Sequence, residues 1–187
     1  MNRMHQFLIK LAAPLALLTV FTLGGCASSP PQASFSTTPT PQTQIDANDT
    51  VTVTLEANSD VIIERHERVR LTDRILRQIN TQKSEAVSGG EEKSYAVDVV
   101  LSQYERGNAF ARFMLAGLGQ IHIDGSVTVY ELPARTKVSA FEIEKTFAWG
   151  GFYGGSTGID DVEPAFAEGI ANAVTSPKDV ARNDSDD

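Results

Sequence analysis

Three polar residues, His122, Asp124 and Ser126, have the types found in a nucleophile–base–acid relay and occupy alternate positions of one segment. Side chains two residues apart on a strand stand about 6.6 Å apart, because each residue rises about 3.3 Å. A relay needs hydrogen-bond contact, near about 3 Å. The spacing therefore favours a polar outer face of a sheet, although a residue of a neighbouring strand could still recruit His122. We predict no catalytic residue.

Metal and phosphate sites are not indicated by the other candidate motifs. His66 is followed by Glu67, but a two-ligand metal site on a helix needs i, i+4 spacing or more ligands nearby. The glycine-rich segment 149–158 lacks the Gly-Lys-Ser/Thr ending of a phosphate-binding loop and a direct lead into a helix. We therefore predict no metal and no cofactor.

Three arginines could bind lipid phosphate or an acidic partner, since guanidinium groups match phosphate bidentately. Arg70, Arg74 and Arg77 lie within one predicted helix. Glu67 precedes Arg70 by three residues and Asp73 precedes Arg77 by four, which is typical of ion pairs on a helix surface. We interpret the arginines as a solvated helix face.

The N-terminal segment has the pattern of a signal peptide. Arg3 and Lys10 precede residues 11–23, which carry no charge. Thirteen helical residues span about 20 Å, less than the roughly 30 Å of the hydrocarbon core, so a permanent transmembrane helix is not expected. We predict a lipoprotein signal peptide over residues 1–25.

The only cysteine of the chain directly follows this segment. Leu23-Gly24-Gly25-Cys26 resembles a bacterial lipobox, which implies cleavage before Cys26 and its acylation, with palmitate among the chains. One acyl chain binds a membrane marginally and several bind it stably. Ala27 after the cysteine implies retention at the outer membrane of a host with two membranes. The alternative is an ordinary secretory signal with a chance or buried cysteine.

Composition divides the chain after the signal peptide into a linker, a domain and an acidic tail. The 187 residues carry a net charge of −8, which works against nucleic-acid binding, since such binders use Lys and Arg to displace counterions. Residues 26–49, rich in Ser, Thr and Pro, are predicted to be the acylated cysteine and a linker. Its uncharged part, residues 27–45, could reach roughly 60 Å when stretched. Residues 50–176 are predicted to form one domain and 177–187 an acidic disordered tail.

Hydrophobic periodicity predicts the elements of the domain. Apolar residues alternate with polar ones in four segments, near 50–55, 95–102, 120–131 and 138–147, and residues 61–63 suggest a short fifth strand. Helical periodicity appears at 69–79 and after Pro164. Strands with one apolar face suit an antiparallel sheet covered on one side. We predict an α+β fold, an antiparallel sheet of four to five strands with two helices packed on one face.

Glycine and aromatic residues give the chain a family resemblance. The segments are YERGNAFAR at 104–112, LAGLGQI at 115–121, FAWGGFYG at 147–154 and FAEG at 166–169. They resemble the bacterial lipoprotein family catalogued as domain of unknown function 4410, over roughly residues 50–175. The resemblance implies an envelope lipoprotein with a small α+β domain, distantly reminiscent of periplasmic domains of secretion-channel lipoproteins. It implies no assigned reaction and no catalytic residues.

Two connections are unusually apolar, although loops normally carry polar turn residues. Residues 109–119 join two strands and residues 149–155 follow the last one, so both are expected at the same end of the sheet. One interpretation is that 109–118 folds back as a short helix and fills the core. The other is an exposed patch for a partner, for self-association or for the membrane, with candidate binding residues Phe110, Phe113, Met114, Leu115, Trp149, Phe152 and Tyr153.

These observations predict a non-catalytic, lipid-anchored envelope protein that faces the periplasm from the outer membrane. Its expected partners are the membrane, through Cys26, and other envelope proteins or further copies of itself. One alternative is a component of an oligomeric envelope channel or secretion-type assembly. Another is a periplasmic hydrolase or sugar-binding enzyme that uses the polar sheet face, with Tyr104 and Tyr130 as aromatic platforms.

Overall fold

A computed structural model describes residues 28–85, 91–115 and 118–176 of the chain. The predicted signal peptide 1–25, the predicted lipidation site Cys26 and the acidic segment 177–187 lie outside these ranges. Within the described ranges, no helix is both long and apolar enough to cross a membrane.

The described residues form strands and helices in an order that contains all four predicted strands and both predicted helices. The long helices extend further than their apolar periodicity indicated, toward 85 for the first and back to 159 for the second. The elements are β1 Gln32–Thr37, β2 Thr50–Ala57, α1 Arg65–Glu85, β3 Ser94–Glu105, α2 Ala109–Met114, β4 Ile121–Leu132, β5 Thr136–Phe147, α3 Gly151–Ser156 and α4 Ile159–Thr175.

The five strands form one mixed sheet in the order β1-β5-β4-β3-β2. The α+β class is confirmed, but the purely antiparallel sheet is wrong at one pair, because β2 runs parallel to β3. The connection between these strands contains α1 and returns the chain to the end where β2 began, so β3 starts beside the start of β2. The other three pairs are antiparallel.

Helices α1 and α4 pack against each other and cover one face of the sheet, as predicted. Their apolar stripes meet the inward positions of the strands, which alternate with partly exposed residues along β4. Ile75 of α1, Ile123 of β4 and Ile170 of α4 are fully buried in the resulting core. Period-2 alternation in the strands therefore assigned the inward face correctly.

Pro164 lies in the second turn of α4, because the helix begins at Ile159 and not at the proline. A proline has no N–H to donate to the carbonyl four residues earlier, which here belongs to Asp160. The side chain of Arg74 replaces this donor, with Nη1 2.6 Å from the Asp160 oxygen. The helix continues through the proline because a neighbouring helix satisfies the free carbonyl.

The predicted linker over residues 26–49 is wrong for part of its length, because it contains β1. This strand pairs antiparallel with β5, and its apolar side chains point inward, with the Phe35 ring 5.1 Å from that of Phe141. Ile45 is 1% exposed and its N–H donates to the carbonyl of Val174. The pairing satisfies the backbone of a segment whose polar composition alone is typical of a linker.

The short fifth strand suggested at residues 61–63 is also wrong. These residues lie in the connection between β2 and α1, and Ile62 is 78% exposed. The N–H of Val61 donates to the carbonyl of Asn58, which closes a turn there. Residues 61–63 were assigned to a strand from their branched composition alone, because three consecutive apolar residues show no period-2 alternation. The turn at this position is not compatible with a strand.

Candidate functional site

The two apolar connections meet at one end of the sheet. Ile121, the first residue of β4, pairs with Phe147, the last of β5, and the short helices α2 and α3 that flank these positions pack against each other. The exposed apolar side chains of these helices and of the residues next to them form what we call the apolar platform, consisting of Phe110, Phe113, Met114, Leu115, Leu118, Trp149, Phe152 and Tyr153.

The side chains of the apolar platform are exposed to solvent. Their exposed fractions range from 45% at Trp149 to 82% at Phe152. Residues 109–114 do form a short helix, but these side chains do not fill the core, so that interpretation of the segment is wrong. A shallow groove of about 340 Å³ runs between Phe113 and Phe152, with Phe110 beside it.

A buried arginine joins the two halves of the platform. Arg112 is 2% exposed, and its guanidinium donates to the carbonyls of Gly154 at 2.8 Å and Thr157 at 2.8 Å on the α3 side. It also donates to the carbonyls of Gly119 at 2.6 Å and Arg106 at 3.2 Å, which flank α2. Burial lowers the pKa of Arg112 from its ordinary value. The two helices are therefore held in one fixed arrangement.

Two glycines permit tight backbone contacts, one next to α2 and one within α3. Gly107 has φ +61°, and a Cβ there would lie 2.2 Å from the carbonyl oxygen of Gln120. A Cβ on Gly154 would lie 1.9 Å from the carbonyl oxygen of Trp149. Both distances are far below van der Waals contact, so a side chain at either position would force the neighbouring backbone to shift.

A buried lysine lies beside the platform and was missed by sequence reasoning. Lys145 is 6% exposed, and its Nζ donates to Ser28 Oγ at 2.9 Å and to the carbonyl of Ser29. Burial lowers its pKa from the ordinary value, and the charge of Glu168 opposes that effect. A cleft of about 390 Å³ adjoins this ammonium group, and its lining includes Ser28, Trp149, Tyr153 and Asp161.

An ionic cluster between α1 and α4 was missed as well. The carboxylate of Glu163 is fully buried and accepts hydrogen bonds from Arg70 Nε at 2.9 Å and from Tyr104 Oη at 2.7 Å. Arg74 approaches the same carboxylate at 3.4 Å. The interpretation as a solvated face is therefore wrong for Arg70 and Arg74, which contact α4, whereas Arg77 is exposed.

Glu67 does not pair with Arg70 as its spacing suggested. Its carboxylate accepts from Arg106, whose Nη2 lies 2.6 Å away, and from the N–H of Glu64. Burial acts to raise the pKa of Glu67, but these hydrogen bonds and the charge of Arg106 outweigh burial and lower it. The pair fixes the start of α1 to the segment after β3.

The polar residues of β4 lie on the uncovered sheet face, as predicted. His122 Nδ1 shares a hydrogen bond of 3.1 Å with Thr146 Oγ1 on the adjacent strand. Asp124 accepts from the backbone N–H of Lys145 at 3.3 Å. In the ranges that the structure describes, no group of three or more His, Cys, Asp or Glu side chains could hold a metal ion.

We expect Asp124→Asn to stabilise the protein at pH 7. Burial raises the pKa of Asp124, as do the charges of Glu144 and Glu105. The folded state therefore binds the proton more tightly than the unfolded state, and the carboxylate costs stability above the folded pKa. The advantage of asparagine should shrink as pH falls through the folded pKa toward the ordinary value of 3.8.

Urea unfolding of both proteins at pH 7 and near pH 4 measures this effect, with Ser126→Ala as a control on the same face. A stability difference between Asp124→Asn and wild type that is equal at both pH values would show that the Asp124 pKa is not raised.

Several solved structures are similar to this chain at low sequence identity. A PelC dodecamer from Paraburkholderia phytofirmans is 8% identical, with 77% of this chain and 98% of that chain covered and a TM-score of 0.49. A protein from Xanthomonas campestris is 12% identical, with 81% and 95% covered and a TM-score of 0.45. A suspected lipoprotein from Caulobacter crescentus CB15 is 12% identical, with 68% and 88% covered and a TM-score of 0.38.

No curated protein matches the chain. The sequence pattern of the family described as a domain of unknown function, DUF4410, matches residues 41–151. The match begins before β2, ends where α3 begins, and includes both α2 and the strands that carry the apolar platform. Because the match covers more than half of the chain, the protein belongs to the DUF4410 family.

Proposed function

We propose that the protein is a lipid-anchored envelope lipoprotein, held at the outer membrane through an acylated Cys26 and facing the periplasm. In this proposal it catalyses no reaction, and its apolar platform binds or assembles with other envelope components. The observation that carries the proposal is the exposure of the platform's large apolar side chains at one end of the sheet.

Apolar surfaces of this kind favour binding. Soluble monomers rarely expose large contiguous apolar patches, and those that exist often mark interaction sites. Burying a side chain of the size of Phe contributes about 1.5–3 kcal/mol relative to leaving it exposed. Phe152, at 82% exposure, and Phe110, at 73%, have the most area to bury.

The rigidity of the platform supports the same proposal. Arg112 lies in α2 and donates to four backbone carbonyls in or next to the two short helices. These hydrogen bonds hold the helices that carry the exposed side chains in one arrangement. A preorganised surface loses less conformational entropy on association than a mobile loop does. The arrangement is therefore suited to docking.

In-cell photo-crosslinking tests the proposal. A photoreactive amino acid replaces Phe152, or Thr54 as a control on exposed edge strand β2, in full-length protein. We expect the protein to be recovered in the membrane fraction with acyl chains on Cys26. We expect crosslinks to other envelope components from position 152 and none from position 54. Cys26→Ser should move the folded protein to the soluble fraction.

The crosslinked products also separate the main proposal from self-association into an oligomeric channel. The groove between Phe113 and Phe152 is lined by phenylalanines, including Phe110. An exposed phenylalanine of a second copy could therefore fill it. A product of twice the chain mass would favour self-association. Equal crosslinking from positions 152 and 54, or an unacylated Cys26 on an uncleaved chain, would contradict the proposal.

A further inference from the structure

The chain enters the fold at the same end as the apolar platform. Ser28 and Ser29 are held by Lys145, and their hydroxyl groups donate to the carbonyl of Thr146 at 3.3 and 3.4 Å. Strand β1 then starts beside Glu144, near the end of β5 that leads into the platform. Residue 28 is therefore fixed to the folded domain.

This attachment leaves very little chain between the domain and the proposed anchor. Only Ala27 separates Cys26 from Ser28, and two residue steps span at most about 7 Å when fully extended. Ser28 also lines the same cleft as Trp149 and Tyr153. An acylated Cys26 would consequently bring this edge of the platform to the lipid surface.

We infer that the apolar platform is a membrane-docking surface that rests in the interfacial region of the bilayer to which Cys26 is anchored. The inference rests on the proposed acylation of Cys26 and names a lipid surface as the occupant of the platform. The short segment between Cys26 and Ser28 would hold the platform close to the bilayer, and the exposed apolar side chains would contact the lipid.

The chemistry of the platform fits a lipid interface. Trp and Tyr are enriched at the boundary between hydrocarbon and headgroups, where an apolar ring meets a polar environment. Trp149 and Tyr153 lie in edge-on contact, with ring centroids 5.5 Å apart, beside the chain entry. Phe113 and Phe152 lie further across the same surface and would reach toward the acyl chains.

Charge favours a hydrophobic rather than an electrostatic contact. Asp160 and Asp161 are exposed at the start of α4 beside the cleft, whereas Lys145 and Arg112 are buried in hydrogen bonds to the protein and Arg106 is paired with Glu67. Asp160 and Asp161 would therefore repel anionic headgroups. Docking should depend on the apolar side chains and should not strengthen when anionic lipid is added.

Tryptophan fluorescence can test this directly, because Trp149 is the only tryptophan of the chain. The full-length acylated protein is reconstituted into phosphatidylcholine vesicles with or without bromine on the acyl chains, and vesicle flotation is measured in parallel. We expect Trp149 emission to shift to shorter wavelength in vesicles and to lose most of its intensity in brominated lipid. Adding phosphatidylglycerol should not increase the quenching.

A double variant, Phe113→Ser with Phe152→Ser, keeps Trp149 and the anchor. It should float with the vesicles but lose most of the quenching, while its melting temperature stays close to that of wild type. The matched control pair Thr52→Ser with Thr54→Ser, on exposed positions of β2, should behave as wild type.

The outcomes separate the inference from the function on which it rests. Wild-type protein that floats while Trp149 remains solvent-exposed and unquenched would overturn membrane docking and leave the lipid anchor intact. A shift of Trp149 emission that needs no vesicles and grows with protein concentration would assign the platform to a second copy instead. Protein that fails to float would overturn both the anchor and the docking.

Discussion

Ile123→Asp should unfold the domain. Ile123 is fully buried near the start of β4, the central strand of the sheet, and an aspartate there would place a carboxylate among apolar side chains of the core. An unpaired buried charge and the loss of isoleucine packing together should cost about 4 kcal/mol or more, a large fraction of the stability of a small domain. Ile75→Asp in α1 should have the same effect, because Ile75 is fully buried too.

Circular dichroism and urea unfolding measure this effect, with Glu142→Ala as the control. Glu142 lies on the exposed face of β5, so its removal should change stability by no more than about 0.5 kcal/mol. Equal melting temperatures for Ile123→Asp and Glu142→Ala would show that the sheet faces have been assigned the wrong way round.

Arg112→Met should loosen the apolar platform and destabilise the whole domain by about 2–4 kcal/mol. The reason is that each buried carbonyl left without a donor costs about 1–3 kcal/mol, and hydrogen bonds to water restore only part of this loss. Methionine fills a similar volume but donates to none of the four carbonyls that accept from Arg112. Of these, the carbonyl of Gly119 keeps the N–H of Asn108 as a donor. Lysine at this position should rescue little, because a single ammonium cannot reproduce the planar fork of the guanidinium.

Hydrogen exchange of segments 107–115 and 150–158 measures the loosening, and urea unfolding measures the stability. Arg135→Met is the matched control, because Arg135 is 56% exposed in its ion pair with Asp98 and exposed pairs contribute about 0–1 kcal/mol. Unchanged exchange in both segments of Arg112→Met would show that the platform holds together without this arginine.

The inward faces of the strands were predictable because alternation is a local property of the chain. Ile121 and Ile123 repeat every second residue in the sequence, and both are fully buried in the structure. The direction of β2 relative to β3 is not local, since it depends on how α1 crosses the sheet. The long stretch between the predicted strands near 50–55 and 95–102 has room for such a crossover, and this was the available signal.

The charged residues that organise the site were harder to predict, because charged side chains are seldom buried. Each of them finds its partner far along the chain. Lys145 meets Ser28, Glu163 meets Arg70, and Arg112 meets the carbonyls near α3. Lys145 nevertheless occupies an inward position of the β5 alternation, between Ile143 and Phe147, and this placement is the pattern that could have revealed it.

The strand β1 changes how far the protein can extend from its proposed anchor. The predicted linker would have let the domain move through roughly 60 Å of periplasm, whereas fixation of the chain at Ser28 leaves a tether of two residue steps. The twelve residues of β4 span about 40 Å, and Val174 and Ile45 meet at the end of the fold away from the platform. Anchored at Cys26, the protein would keep Ser176, at the end of α4, within about 50 Å of the bilayer.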